Sequence, residues 1–144
     1  MKVEGLNTNI KLLNVYPYRC TACRNCEIAC SFRHIKNGMP SPSRINAISD
    51  EQKRQGKNII VVCMQCDKAA CVKACPVNAL QRNESTGAIV HIESRCIGCG
   101  SCVQACPFGN MKWDFVSSRP VKCDLCGGDP MCAKFCPEKA LVYE

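Results

Sequence analysis

Between residues 96 and 107 the chain reads Cys-Ile-Gly-Cys-Gly-Ser-Cys-Val-Gln-Ala-Cys-Pro, three cysteines two residues apart, then a fourth after three more, then proline. Four versions of this pattern use all sixteen cysteines. They run Cys20, Cys23, Cys26, Cys30; Cys63, Cys66, Cys71, Cys75; Cys96, Cys99, Cys102, Cys106; and Cys123, Cys126, Cys132, Cys136. In motifs two and four the second and third cysteines are drawn further apart, yet the third and fourth always stand at i and i+4. No other feature constrains the fold so tightly.

Sixteen thiols in 144 residues admit disulfides, zinc or iron–sulfur clusters. Disulfides belong to oxidising compartments. The opening stretch, MKVEGLNTNIKLLNVYPYRC, has no apolar run of signal-peptide length, no small-residue cleavage site and no twin arginine. No segment approaches the length of a membrane span. A cytoplasmic chain is therefore expected, its thiols reduced and free to bind metal. Structural zinc takes its ligands as two separated pairs in a closed tetrahedron. Three cysteines in seven residues suit instead the face of a cubane, whose irons each need one thiolate. Small residues such as Gly98, Gly100 and Ser101 let loop N–H groups turn toward the sulfurs, as in an anion nest. Four sets of four leave no cysteine over, so four [4Fe–4S] clusters are predicted.

The formal charge of +7 would ordinarily point to nucleic acid or an anionic surface. Ligation deprotonates the thiols, and an oxidised cubane with four thiolates carries about −2. Four of them bring the loaded chain to roughly −1, so the excess of basic residues reads as compensation and no nucleic-acid partner is expected. Arg19, Arg24, Lys73, Arg95 and Lys122 stand beside the motifs, where they either offset cluster charge or steer a partner. The 47% hydrophobic fraction includes the cysteines. The aliphatic and aromatic core is correspondingly thin, and something other than side-chain burial must hold the chain together.

Short elements are expected between the motifs. Lys11–Tyr16 reads as a strand ended by Pro17, and Arg44–Ile48 and Asn58–Val62 as strands flanking an exposed polar turn at Asp50–Gly56. Gln81–Gly87 reads as a hairpin tip and Ala88–Ile92 as a strand. Lys112–Phe115, where Trp113 and Phe115 alternate with Lys112 and Asp114, reads as a half-buried strand. The i, i+4 cysteines fall on one side of a short helix. Proline after the fourth cysteine stops that helix in motifs two, three and four; Ser31 replaces it in motif one, where the helix is free to run on through Phe32, Arg33 and His34. Pro76-x-x-Ala-Leu80 recurs as Pro137-x-x-Ala-Leu141, the mark of duplicated units.

In two-cluster ferredoxins the fourth cysteine of such a motif reaches the neighbouring cluster, so motifs work in pairs. Spacing alone leaves the pairing open. The stretch between motifs two and three has a length suited to one such unit, and the first and last strands could pair to bring motifs one and four together. The fold class expected is α+β: duplicated bacterial-ferredoxin-like 2[4Fe–4S] units with short strands, short helices and a cluster-dominated core. One body of two interlocked halves is expected, 63–115 as the inner half and 1–62 plus 116–144 as the outer.

All four motifs, including the wider gap in the second, resemble the four-cluster electron-transfer subunits of the dimethyl sulfoxide reductase B-subunit and hydrogenase-linked type. Cys20–Phe32, Pro42-Ser-Arg-Ile45 and Lys122–Pro130 resemble in addition the small subunits that accompany tungsten-dependent aldehyde oxidoreductases, and carbon monoxide dehydrogenase-associated proteins share parts of them. The resemblance implies nested pairing. One cluster would fall to Cys20, Cys23, Cys26 and Cys136, and its neighbour to Cys30, Cys123, Cys126 and Cys132. A third would fall to Cys63, Cys66, Cys71 and Cys106, and the fourth to Cys75, Cys96, Cys99 and Cys102. It also implies a large molybdenum- or tungsten-pterin subunit that oxidises an aldehyde or similar substrate, and a further redox partner such as a flavin- or NAD-linked subunit or a ferredoxin. Self-association into longer assemblies is left open.

With every iron capped by a thiolate, no position is left for substrate chemistry, and a non-catalytic electron carrier is expected. No nucleotide loop, Ser/His/Asp set or paired carboxylates stand out. Two rival classes are a free polyferredoxin carrier, which would be monomeric, and a colourless zinc-binding interaction module. His34 and His91 read as surface or strand residues rather than ligands. Trp113, Tyr16, Tyr18, Phe108 and Tyr143 flank the motifs and read as packing that keeps water from the clusters, rather than as electron relays.

Overall fold

The structure is a computed structural model that describes residues 10–51 and 58–144. The polar leader before residue 10 and most of the Asp50–Gly56 turn lie outside the described residues. The elements run β1 (Leu13–Val15), α1 (Asn25–Arg33), β2 (Asn46–Ile48), β3 (Ile59–Val61), α2 (Ala70–Ala74), β4 (Leu80–Arg82), β5 (Ile89–His91), α3 (Ser101–Ala105), β6 (Lys112–Asp114), β7 (Arg119–Val121), α4 (Met131–Lys134) and β8 (Leu141–Tyr143). Single 3-10 turns at Pro17–Arg19 and Glu93–Arg95 lead into motifs one and three, and a third, at Leu125–Gly127, lies inside motif four.

The strands form four separate antiparallel pairs, β1–β8, β2–β3, β4–β5 and β6–β7. The first and last pair as expected, with Leu13 opposite Tyr143 and Val15 opposite Leu141. Backbone bonds extend this ribbon at both ends, Leu12 N–H donating to Glu144 O at 2.7 Å and Tyr16 N–H to Ala140 O at 2.8 Å. Helix α1 packs on α4 and α2 on α3. The missing proline of motif one has the expected effect: α1 passes through Cys30 to Arg33, whereas α2, α3 and α4 stop short of their fourth cysteines.

Two small cores result. Cys26, Cys30, Ile45, Ala47, Cys132 and Leu141 are buried together in one. Ala69, Cys71, Leu80, Ile89, Cys102 and Met111 make the other. Thiols thus stand where a larger protein would bury leucine.

Three local readings are corrected. The hairpin tip begins later than Gln81, because Leu80–Arg82 is a strand and Asn83 makes the turn; its Oδ1 accepts from Ser85 N–H at 2.9 Å and Ser85 Oγ at 2.6 Å. Arg44 and Ile45 are buried but precede the strand, which starts at Asn46. The strand expected over Lys112–Phe115 is half-buried but ends at Asp114, and its end breaks the apolar–polar alternation: Asp114 is buried and Phe115 is 87% exposed. The carboxylate turns inward because it builds the β6–β7 turn, accepting from Val116 N–H at 2.9 Å and Ser117 Oγ at 2.7 Å. Strand β7 contains Pro120, which a two-stranded ribbon tolerates on its unpaired side.

Candidate metal centres

Each motif wraps its cysteines by one repeated backbone device. The residue just before the second cysteine is left-handed in all four: Ala22 (φ +56°), Gln65 (φ +49°), Gly98 (φ +70°) and Leu125 (φ +55°). Glycine takes this conformation freely, whereas a residue with a Cβ is held in it at a cost of about 1–2 kcal/mol. The turn draws the loop's N–H groups inward; those of Ala22 and Gly98 donate to Cys20 Sγ and Cys96 Sγ, both at 3.4 Å.

A second device follows the fourth cysteine. After Cys75, Cys106 and Cys136 the chain enters proline and then a left-handed residue, Asn78, Gly109 or Lys139. The next N–H returns to the sulfur: Ala79 to Cys75 at 3.2 Å, Asn110 to Cys106 at 3.4 Å, Ala140 to Cys136 at 3.2 Å. Motif one cannot make this turn, since its helix continues. Cys30 Sγ accepts instead from Arg44 N–H at 3.2 Å. Four fourth-position sulfurs thus receive one backbone donor each, an arrangement that favours a thiolate.

The cysteines line four cavities of similar size. Cys20, Cys23, Cys26 and Cys136 surround the first, and Cys30, Cys123, Cys126 and Cys132 the one beside it. Cys63, Cys66, Cys71 and Cys106 surround another, and Cys75, Cys96, Cys99 and Cys102 the last. Much of the remaining lining is apolar, including Ile60 and Leu141, Ile45 and Val62, Ile89 and Met111, and Leu80 and Pro120 in the four cavities respectively. The sixteen thiols are unbridged. Four soft donors converging on one space, with backbone N–H groups aimed at their sulfurs, fit an all-thiolate cluster.

Burial pushes several thiols up, Cys26 and Cys102 to about 11 and Cys123 to about 12. Protonated thiols are poor ligands, so the ion must displace the proton, and loading couples to proton release. Cys30 moves the other way. Burial acts to raise it, but hydrogen bonds from His34 and Arg44 N–H outweigh that and bring it down.

His34 is not the surface residue expected from sequence. It caps the C-terminus of α1, half-buried, with Nδ1 2.9 Å from Cys30 O and Nε2 3.4 Å from Asp124 Oδ1. The Asp124 carboxylate, then Cys30, hold His34 up at about 9. Burial would raise Asp124, but the bonds from His34 and Cys126 N–H prevail and hold it at about 2. The pair ties the end of α1 to motif four. Asp124's share of the stability is complete above its ordinary 3.8 and lost as pH falls through about 2. His34's share is complete below its ordinary 6.5 and lost as pH rises through about 9. His34→Gln should therefore flatten the alkaline limb of a thermal-stability profile between pH 7 and 10, by on the order of 1 kcal/mol for a long charged hydrogen bond. An unchanged limb would remove the pair from the stability of the fold.

His91 lies in β5 as expected, half-buried against the Cys75 cavity, with Nε2 buried and unpartnered. Among the aromatics, Tyr18 is 65% exposed and stacks edge-on to Tyr16 at 6.0 Å with Arg19 over both rings. Exclusion of water falls more to the aliphatic walls than to Tyr18. Lys122 is buried, which nothing in its sequence context signals.

Residues 58–144 match the 4Fe-4S dicluster domain, and residues 17–33 a 4Fe-4S binding domain. The chain belongs to the 4Fe-4S dicluster family. This dicluster protein is 42% identical over 124 residues to the polyferredoxin-like subunit of aliphatic sulfonate oxidoreductase from Pyrococcus furiosus, covering 86% of the chain and 70% of the relative. It is 36% identical over 155 residues to the electron transport protein HydN of Escherichia coli, covering 86% and 82%. Among solved structures, the active site complex BamBC of benzoyl coenzyme A reductase shares the fold, with a TM-score of 0.53 at 23% identity, covering 94% of this chain and 79% of that one. The dicluster protein is thus a polyferredoxin-like electron-transport chain of α+β ferredoxin-like fold, whose sixteen cysteines serve four [4Fe–4S] clusters. Among the described residues no helix is long and apolar enough to cross a membrane.

Proposed function

We propose that the chain is a non-catalytic relay in which four clusters stand in a row, each held by the four cysteines that line one cavity. Each cubane, when bound, takes up and passes on one electron; the protein supplies order, insulation and ends. Order follows from the helices. Cys26 and Cys30 leave α1 toward adjacent cavities, as Cys132 and Cys136 do around α4, so the Cys20 and Cys30 quartets are neighbours. Cys71 and Cys75, with Cys102 and Cys106, join the Cys63 and Cys75 quartets in the same way. The two pairs meet where Cys63 and Cys123 share contacts with Lys122. The halves we propose, 63–115 and 1–62 plus 116–144, join through the β6–β7 hairpin, whose turn contains the boundary.

One observation carries this reading. Of the sixteen cysteines only Cys23 and Cys99 are exposed, one at each end of the row and none in the middle. An electron can enter or leave readily only where a cluster nears the surface.

The partner at one end is read as a larger catalytic subunit with a tungsten- or molybdenum-pterin centre acting on an aldehyde or related substrate, within a reducing cytoplasm. At the other end we place a flavin- or NAD-linked subunit or a ferredoxin. The name of the Pyrococcus relative, a subunit of an oxidoreductase, supports membership of a complex. So does a groove between α1 and α4 lined by Ile28, Ala29, Phe32, Arg33, Met131 and Phe135, with Ile28, Phe32 and Phe135 more than half exposed. The duplicate α2–α3 frame has Lys73 and Ala105 at the positions of Ile28 and Phe135. Clusters therefore do not require the apolar groove. Arg33 at its edge favours an apolar segment of the catalytic subunit flanked by carboxylates. The double change Ile28→Lys, Phe135→Ala copies the polar duplicate. Anaerobic affinity purification should recover a larger chain with the unchanged protein and at least tenfold less with the variant, at equal iron content. A chain that purifies alone in both forms would favour the free carrier.

A further inference from the structure

The position before the first cysteine is occupied by Arg19, Val62, Arg95 and Lys122 in the four motifs. Arg19 and Arg95 are exposed. Of these four only Lys122 is buried, at 6% exposure. Its Nζ donates to Cys63 Sγ at 2.9 Å, to Gln65 Oε1 at 3.0 Å and to Cys123 O at 3.2 Å. Cys63 and Cys123 belong to different quartets, and these are the two inner ones. Gln65 closes the junction: its Nε2 donates to Cys123 O at 2.9 Å and its Oε1 also accepts from Ile89 N–H at 2.9 Å. All three ammonium donors are thus directed, and each acceptor belongs to the seam between the two inner cavities.

We propose that Lys122 is a built-in cation that makes the inner clusters the more easily reduced pair, the Cys63 quartet above all, so that electrons rest in the middle of the row. Reduction adds negative charge to a cluster, and a nearby positive charge or a hydrogen bond to a ligand sulfur favours that state. A buried cation is screened far less than a surface one. The end clusters have only exposed arginines at the matching position. Lys122 acts through Cys63 and the seam, and is a positioning and tuning residue rather than a catalytic one. The same charge offsets repulsion between two adjacent anionic clusters, which opposes their close approach across the seam.

The inference rests on the cluster assignment proposed above, but not on the partner. Its test is a stepwise reductive titration of the full chain, followed by electron paramagnetic resonance, with Lys122→Gln set against the unchanged protein. Iron is counted first. About sixteen irons in both show that the clusters are present. Lys122→Gln should then make one couple harder to reduce by at least tenfold in equilibrium, about 59 mV for one electron. A second couple should move less, the other two should stay, and the first electron added should no longer settle on the inner pair. Lys122→Arg, which keeps the charge, should restore most of the shift. Four unmoved couples, or four that move equally, would overturn the role. Should Lys122→Gln fail to assemble, Gln65→Glu sets a carboxylate against Nζ without touching a thiol or the lysine, and the same couple must fall; an unmoved couple overturns the inference. A shortfall of iron in the unchanged protein would instead sink the cluster assignment, and the role of Lys122 with it.

Discussion

Stripping the iron from the purified chain should unfold it. Among the described residues the longest helix has nine residues and the other three have four or five, and every strand has three. Helices of that length do not persist alone in water, and an isolated two-stranded ribbon is marginal. Packing offers little in exchange: the largest fully buried side chains are Ile45, Leu80 and Ile89. Five of the buried residues are the thiols Cys26, Cys30, Cys71, Cys102 and Cys132, whose burial is useful only with metal between them. Metal-coupled folding in small domains is worth on the order of 10 kcal/mol, comparable to the whole stability of a typical domain, about 5–15 kcal/mol. Oxidative removal of iron under a chelator should therefore abolish the far-ultraviolet circular dichroism of the fold and its amide protection together. Protection that survives in β1–β8 or β4–β5 would show that side chains alone hold the chain.

Paired cysteine substitutions should show a strong failure of additivity, set by cavity rather than by motif. Cys23 and Cys136 are far apart in sequence but line one cavity. Changing both to alanine should remove a single cluster, about four irons, and leave three reducible centres with their signals intact. Cys126 and Cys136 belong to one motif but line different cavities. Changing both should damage two clusters and leave two intact. The interaction between substitutions is large where they share a site and small where they do not. The reverse result, one cluster lost by the pair within motif four and two by the pair across motifs, would refute the nested assignment.

Much of this was legible in the residues, for reasons that differ between elements. The cysteine quartets are set by local spacing. The run-on of α1 follows from one substitution, Ser31 where the other motifs have proline. Strands β1, β3 and β5 fall within the β-branched stretches that foretold them, trimmed at their ends. The sharing of cavities by motifs is another matter. It depends on contacts such as the one between Asn14 and Glu144, 130 residues apart, and no local pattern encodes that distance. Alternation at Lys112–Phe115 misled because Asp114 serves its own turn, a use of a buried carboxylate that hydrophobic periodicity cannot register. Pro120 masked β7. Lys122 was legible as a cation beside a motif, but its burial, like that of His34, was hidden for a common reason: a polar side chain is ordinarily placed on the surface, and both are drawn inward by acceptors that only the folded chain assembles, Cys30 O and Asp124 for one, Cys63 Sγ and Gln65 for the other.

Duplication supplies an internal control. The left-handed residue before each second cysteine and the N–H returned to each fourth sulfur recur throughout, so they belong to what a cluster needs. The apolar α1–α4 groove and the buried Lys122 occur once each. What is not repeated is where this chain departs from a plain store of clusters, toward a partner and toward an uneven row.

The most direct test is to purify the chain without oxygen, count iron, acid-labile sulfide and zinc, and titrate it with a reductant. A four-cluster row requires about sixteen irons, about sixteen sulfides and about four electrons accepted per chain. Zinc in stoichiometric amount with no labile sulfide, or a metal-loaded chain that takes up no electrons, would contradict it.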